Sequence, residues 1–310
     1  RAVCRTPEQP SGPRPSLYPV EEHRMPTNIP PQSQDHQPGV EKLLQPQAEH
    51  IRASYKGSGK LEGKKALISG GDSGIGRAAA LHFAREGADV AILYLEEHED
   101  AKETIRLIEK EGRKALAIPG NVTSSKVCND AVAQVVKELG GLDILVNNAG
   151  VQIVSEDLTK ISDDEWQLHM DTNINGYFYL ARAALPHLGE GAAIINTSSI
   201  NAFAGNKALV AYSTTKAAEM GFTRALALQL APKKIRVNAV APGPVWTPLQ
   251  PASWGPVDPQ AVADLGKDGP MGRCGDPSEL GPAYVYLASQ DASFVTGQTL
   301  HVNGGMIING

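Results

Sequence analysis

The stretch Ala66-Leu67-Ile68-Ser69-Gly70-Gly71-Asp72-Ser73-Gly74-Ile75-Gly76-Arg77 decides the fold. An apolar β-type run passes through a glycine-rich turn directly into a helical pattern. Glycines there let the backbone turn tightly and approach a pyrophosphate, and the helix N-terminus offers that anion free N–H groups and a dipole. A glycine-rich turn alone is a weak signal. Between the first strand and first helix of a repeated βα pattern it marks a dinucleotide site.

Downstream the same texture recurs. Short apolar runs at 66–69, 90–94, 115–118, 142–146, 193–196, 237–241 and 299–302 alternate with helix-like segments at 75–86, 98–112, 124–139, 163–188, 210–231 and 277–289. Strands that are apolar along their whole length belong in a parallel sheet covered on both faces. The expected architecture is a single doubly wound α/β domain over residues 56–310, with a parallel sheet of about seven strands and no second domain.

Upstream the texture differs. Ten of the 22 prolines lie between Pro7 and Pro46, among Gln, Ser and His with only isolated apolar residues, so residues 1–55 are expected to be a disordered Pro-rich arm. A Pro-rich docking ligand is the functional alternative, while the acidic Glu8, Glu21 and Glu22 argue against a transit peptide. The chain opens on Arg1, read as a processed or incomplete start with Met25 as an alternative initiator, and its first residues lack the apolar core of a secretory signal.

Composition narrows the function classes. With 310 residues, a net charge of −5, 41% hydrophobic and 20% charged residues, the chain reads as soluble and globular. No basic stripe offers nucleic acid a footprint, and no apolar run approaches the roughly 20 residues that cross a bilayer. Three separated cysteines (Cys4, Cys128, Cys274) make no disulfide framework, so a cytoplasmic location is expected. The cysteines and eight histidines show no metal-ligand spacing, and no metal site is expected.

Two further turns follow strands. Run 142–146 leads into Asn147-Asn148-Ala149-Gly150, and run 237–241 into Pro242-Gly243-Pro244-Val245-Trp246-Thr247. Ligands of open α/β sheets bind outside the carboxyl ends of strands, so these turns share one crevice with the first. Run 193–196 delivers Ser198 and Ser199 to the same edge, and Tyr212 and Lys216 lie one helical turn apart on one face. Lowering a tyrosine pKa from about 10 to about 7 needs roughly 4 kcal/mol, which a unit charge about 4 Å away at an effective dielectric near 20 supplies. Lys216, helped by a positively charged nicotinamide ring, is then sufficient to make Tyr212 an acid/base, while a serine hydroxyl holds the reacting oxygen.

Residues 69–76, 147–150, Ser199, Tyr212-x-x-x-Lys216 and Pro242-Gly243 together resemble the motif set of the short-chain dehydrogenase/reductase family, in its order and spacing, over residues 61–310. The resemblance implies a Rossmann-type fold and hydride transfer between NAD(P) and the alcohol or carbonyl carbon of a small aldehyde, ketone, sugar or polyol. It casts Ser199 as the substrate-orienting serine, Tyr212 as the catalytic acid/base, and Lys216 as the residue that binds the nicotinamide ribose and depresses the tyrosine pKa. Asn173 matches the asparagine that holds a proton-relay water, with Asn175 the competing choice. For the cofactor it implies Ser69, Gly70, Asp72, Ser73, Gly74, Ile75, Gly76, Tyr94, Leu95, Asn121, Val122, Asn148, Ala149, Gly150, Pro242, Gly243, Val245 and Thr247, with Tyr212 and Lys216. Ser69 stands where the family usually has Thr, and Asn121 where it usually has Asp. The stretch Trp246 to Trp254 is expected to be a substrate lid.

Tyr55-Lys56-Gly57-Ser58-Gly59-Lys60-Leu61, Tyr94-Leu95-Glu96-Glu97-His98-Glu99-Asp100, Pro248-Leu249 and Val302-Asn303-Gly304-Gly305 resemble the branch of glucose/ribitol dehydrogenase homologues and general-stress oxidoreductases. The second helix-rich half carries two apolar stripes over 210–231, one with Ala217, Gly221, Ala225 and Leu228 and one with Ala211, Ala218, Phe222 and Leu226, which points to a homo-oligomer, a tetramer as the resemblance implies. Glu96, Glu97 and Asp72 at the expected ribose position, with Arg77 the one close cation in sequence, favour NAD over NADP. The competing function is a nucleotide-gated binding or scaffold protein with little catalysis, against which the intact Asn/Ser/Tyr/Lys set argues.

Overall fold

The computed structural model describes residues 28–308. The seven apolar runs form one sheet in the order β3-β2-β1-β4-β5-β6-β7, every neighbouring pair parallel. The strands are β1 (Lys65–Ser69), β2 (Asp89–Tyr94), β3 (Ala115–Pro119), β4 (Ile144–Asn147), β5 (Ala193–Thr197), β6 (Arg236–Pro242) and β7 (Thr299–Val302). Between them run α1 (Gly74–Arg85), α2 (His98–Lys110), α3 (Ser125–Leu139), α4 (Asp163–Met170), α5 (Gly176–Ala184), α6 (Asn201–Ala204), α7 (Val210–Leu230), α8 (Leu249–Ser253), α9 (Pro259–Ala263) and α10 (Pro277–Ala288). The chain is a doubly wound Rossmann-like domain.

Successive residues of β1 show why its strands read as unbroken apolar runs. Ile68 belongs to a cluster with Phe83 of α1 and Tyr284 of α10, whereas Leu67 belongs to one on the opposite face with Val132 of α3, Leu180 of α5 and Leu226 of α7. Both faces are buried, so neither tolerates a polar alternation. On the first face α1 and α10 lie so close that a methyl group at Gly281 would sit 2.0 Å from the His82 ring.

The sequence reads 163–188 as one helix. The structure breaks it into α4 and α5, joined by a wide π turn over Asp171–Asn175. A turn with one extra residue shifts the phase of the pattern without adding a polar break, so periodicity alone misses it; such π turns are often found at functional positions.

The expected disordered arm is corrected over residues 28–55, which lie against the domain; residues 1–27 are outside the described region. Ile29 and Leu44, two of the few apolar residues of the segment, bury beside Trp246, Val262 and Cys274, each contributing roughly 1.5–3 kcal/mol. Glutamines supply what regular secondary structure does not. Gln32 bonds Gln45 through both its amide atoms, and Gln34 does the same with Val40. Composition counted too few apolar residues to offset ordering entropy, but these few meet preformed hollows and the polar ones close backbone hydrogen bonds. Among the described residues no helix is long and apolar enough to cross a membrane.

Candidate active site

The sheet order reverses between β1 and β4, and there the turns after these strands are stapled together. Ser69 Oγ accepts hydrogen bonds from the Asn148 and Ala149 amides at 3.0 and 3.1 Å, and Asn148 Nδ2 donates to the Ser69 and Gly70 carbonyls. Serine thus does here what the resembling family usually asks of threonine. A Cβ at Gly76 would lie 1.9 Å from the Gly70 carbonyl oxygen, so the turn closes only around a glycine. Ser69 and Gly76 shape the cleft from behind and do not line it.

The cleft itself measures about 860 Å³, near the top of the roughly 300–1,000 Å³ of small-molecule sites. Its wall carries Gly70, Asp72, Ser73, Gly74 and Ile75 from the first turn, then Tyr94, Leu95, Asn121 and Val122, then Asn148, Ala149 and Gly150. The far end carries Ser199, Tyr212, Lys216, Pro242, Gly243, Val245 and Thr247. Asn121 Oδ1 is used locally, accepting from the Thr123 amide. A glycine cradle opening onto an elongated cleft suits a dinucleotide's shape.

At the first-turn end the titratable side chains are acidic. Burial, with Glu97 nearby, pushes the Asp72 carboxyl up to about 7. Arg77, the one cation the sequence places near, is buried and spends its guanidinium on the Asp72 and Asp100 carbonyls and on Thr104 Oγ1. The N-terminal segment adds a wall the sequence did not reveal: residues 35–39 line the cleft, and His36 meets Glu96 and Glu97 with potential ligand atoms within 4.8 Å of one another. Gln37 reaches the other way, exchanging hydrogen bonds with the Gln152 backbone at 3.0 and 2.6 Å. Glu41 accepts the Gly74 amide at 2.7 Å and meets His50 at 3.2 Å. Burial pulls its carboxyl up, but His50, Arg77 and that amide outweigh it and hold Glu41 below its ordinary value. No local pattern announces these contacts, because all the partners but His50 lie more than 30 positions from the residues they meet.

At the other end, α7 presents Tyr212 and Lys216, both buried. Tyr212 is within hydrogen-bonding reach of Ser199. Lys216 Nζ donates to the Thr197 carbonyl at 2.9 Å and to Glu219 Oε1 at 2.8 Å, which leaves one of its three N–H donors for a ligand hydroxyl. The expected depression of the tyrosine pKa is not what this environment gives: burial raises Tyr212 above its ordinary value, Lys216 lowers it, and Glu219 raises it again. The sequence estimate counted the ammonium and omitted both the burial and the carboxylate.

Asn173 sits in the π turn, fully buried, and does not line the cleft. Its Oδ1 accepts the Val151 amide and its Nδ2 donates to the Val151 carbonyl and Thr215 Oγ1. It therefore ties the loop after β4 to α7. Asn175 turns back to Asp171 Oδ1. Trp246 is fully buried and donates from Nε1 to the Pro46 carbonyl, so it anchors the N-terminal segment; Trp254 packs against Tyr212. The stretch between them, expected as a lid, contains α8, and Leu249, Gln250, Ala252 and Trp254 line the cleft. Cys128 and Cys274 are buried, each thiol pushed up to about 11 by desolvation, which keeps both unreactive at neutral pH.

A family model described as enoyl-(acyl carrier protein) reductase matches residues 70–307. General stress protein 39 of Bacillus subtilis is 51% identical over 283 residues, covering 91% of this chain and 98% of that protein. The chain belongs to the short-chain dehydrogenase/reductase family. The glucose and ribitol dehydrogenase of Daucus carota is another relative of this short-chain dehydrogenase/reductase, 48% identical over 288 residues, 91% of this chain and 98% of that one. Among solved structures, a short-chain dehydrogenase of Burkholderia cenocepacia in complex with NADP superposes with a TM-score of 0.74 at 33% identity, over 80% of this chain and 99% of that one.

Proposed function

We propose that the protein is an NAD(P)-dependent alcohol dehydrogenase or carbonyl reductase acting on a small aldehyde, ketone, sugar or polyol. The observation that carries this reading is the pairing, in one cleft, of a glycine cradle at one end with Ser199, Tyr212 and Lys216 at the other. A bound nicotinamide would supply or accept the hydride. Ser199 Oγ holds the substrate oxygen, and the Tyr212 hydroxyl gives it a proton in reduction or takes one in oxidation. The raised pKa of Tyr212 keeps the phenol protonated at neutral pH, which suits it to donate to a carbonyl oxygen. Lys216 uses its remaining N–H on a ribose hydroxyl and holds positive charge beside the phenol. Asn173 fixes the loop that covers this end.

The acidic first-turn end and the engaged Arg77 favour NAD over NADP, since a 2′-phosphate would meet Asp72 and find the Arg77 guanidinium already engaged. The Burkholderia relative, at 33% identity, is a complex with NADP, so the preference rests on this chain's own side chains. The exposed face of α7, with Ala217, Ala218, Gly221, Ala225 and Leu228, supports a homo-oligomer, a tetramer by the family resemblance, which a mass equal to one chain by light scattering at micromolar concentration would refute. Assay of sugars, polyols, aldehydes and ketones with each dinucleotide tests the function. Turnover of at least one class with NAD(H) is expected; dinucleotide binding with no turnover across the panel would leave a binding protein instead.

A further inference from the structure

Beside the Tyr212 and Lys216 pair lies a carboxyl group that the reaction outlined above does not use. Glu219, one turn further along α7, is fully buried. Its Oε1 receives the Lys216 ammonium at 2.8 Å, while Oε2 is left with the adjacent Ser198 hydroxyl alone, and that hydroxyl donates to the Lys216 carbonyl at 3.0 Å. The other groups facing it are Tyr177 from α5 and Tyr284 from α10, whose phenols are occupied by the Thr197 carbonyl and Thr197 Oγ1. Lys216 is therefore its one cationic partner among the described residues. A half-satisfied buried carboxyl costs stability that an apolar side chain of similar size would not, so its presence here needs a chemical reason.

We propose that Glu219 is a positioning residue of the Tyr212 and Lys216 pair: its carboxyl holds the Lys216 ammonium against the Thr197 carbonyl, and its charge sets the pH at which Tyr212 gives up its proton. The inference rests on the oxidoreductase reading. The geometry leaves Lys216 two anchors, one a carbonyl that never changes charge and one a carboxyl that does. Burial pushes the Glu219 carboxyl up to about 8 against the pull of Lys216 and the Ser198 hydroxyl, so it ionises well above the usual carboxylate range. Once ionised it offsets the Lys216 charge, and the Tyr212 phenolate becomes harder to form. The two protons come off in coupled steps, Glu219 first, with the second step displaced upward by the first.

The experiment is the pH dependence of alcohol oxidation, which needs the phenolate, in the parent and in Glu219→Gln. The parent should show a broad, two-step rise. In Glu219→Gln a single ionisation should appear, lower by about one pH unit or more, equivalent to a tenfold gain in the ionisation constant. The same shift should appear without turnover, in the near-ultraviolet absorbance of tyrosinate after subtraction of the Tyr212→Phe protein. Glu219→Leu, which also removes the charge and fills the space, gives the same readings if the Gln protein does not fold. A merely structural role would lower thermal stability and leave both profiles in place. Profiles that superimpose, or that move to higher pH, overturn the proposal. A parent without turnover would instead overturn the oxidoreductase reading, and the tyrosinate titration would still decide the role of Glu219.

Discussion

Tyr212 lines the cleft, buried beside Ser199 and a lysine that Glu219 also holds, so its ring contributes packing as well as a proton. Tyr212→Phe preserves the ring and deletes the proton. Turnover should fall about 10²–10⁴-fold while dinucleotide binding, followed by nucleotide fluorescence, stays within a few fold of the parent. A loss of only a few fold would exclude Tyr212 as the acid/base. Asp72 offers a second test at the other end of the cleft. Asp72→Asn removes a carboxylate that would face a 2′-phosphate, so the ratio of kcat/KM for NADP to that for NAD should rise, by about tenfold if one close charge contact is relieved. An unchanged ratio would mean that Asp72 does not read the ribose.

At the scale of elements, helix pairing in this fold depends on one missing methyl group. Gly281 of α10 abuts the buried His82 ring of α1, and His82 is fixed by its own contact with the Ala78 carbonyl at 2.8 Å. Gly281→Ala should therefore cost about 1–3 kcal/mol of overpacking strain, measured by urea unfolding, and its gain in helix propensity of about 1 kcal/mol should not offset that. A stabilised Gly281→Ala protein would show that the two helices can move apart freely. The central strands were legible because they are apolar on both faces, and the site motifs because strand ends and the Tyr212 to Lys216 spacing are local features. Three elements were not legible. The π turn that carries Asn173 adds a residue without a polar break, residues 28–55 dock through contacts such as those 33, 115 and 200 positions away, and Glu219 looks like an ordinary exposed helix position until Lys216 is seen to turn toward it.

For the whole molecule, stability against pH is the sum of groups pulling in opposite directions. Asp72 and Glu219, raised to about 7 and about 8, are stabilising when protonated and lose that contribution as pH rises through those values. Glu279 behaves in the opposite sense. Burial opposes its ionisation, but the Arg273 guanidinium, the Asp276 amide and Arg52 hold it down at about 2, so its contribution is complete above its ordinary value of 4.5 and lost as pH falls from there toward 2. In that window the raised acids are protonated in the folded state, and their contribution is the same in the parent and in Glu279→Gln, so it cancels from the comparison. Acid unfolding between about pH 4.5 and 2 should therefore be shallower in Glu279→Gln by about 2 kcal/mol in total, a figure reduced for the group's partial exposure. Equal slopes in the two proteins would refute it. The bond from Trp246 to the Pro46 carbonyl has a consequence during synthesis. Its two residues are 200 positions apart, so a ribosome adding about 5–20 residues per second makes Pro46 roughly 10–40 s before Trp246 exists. Through that interval the stretch around Pro46 lacks its Trp246 anchor, open to chaperones and proteases, and this part of the N-terminal segment settles only as the last third of the domain is made.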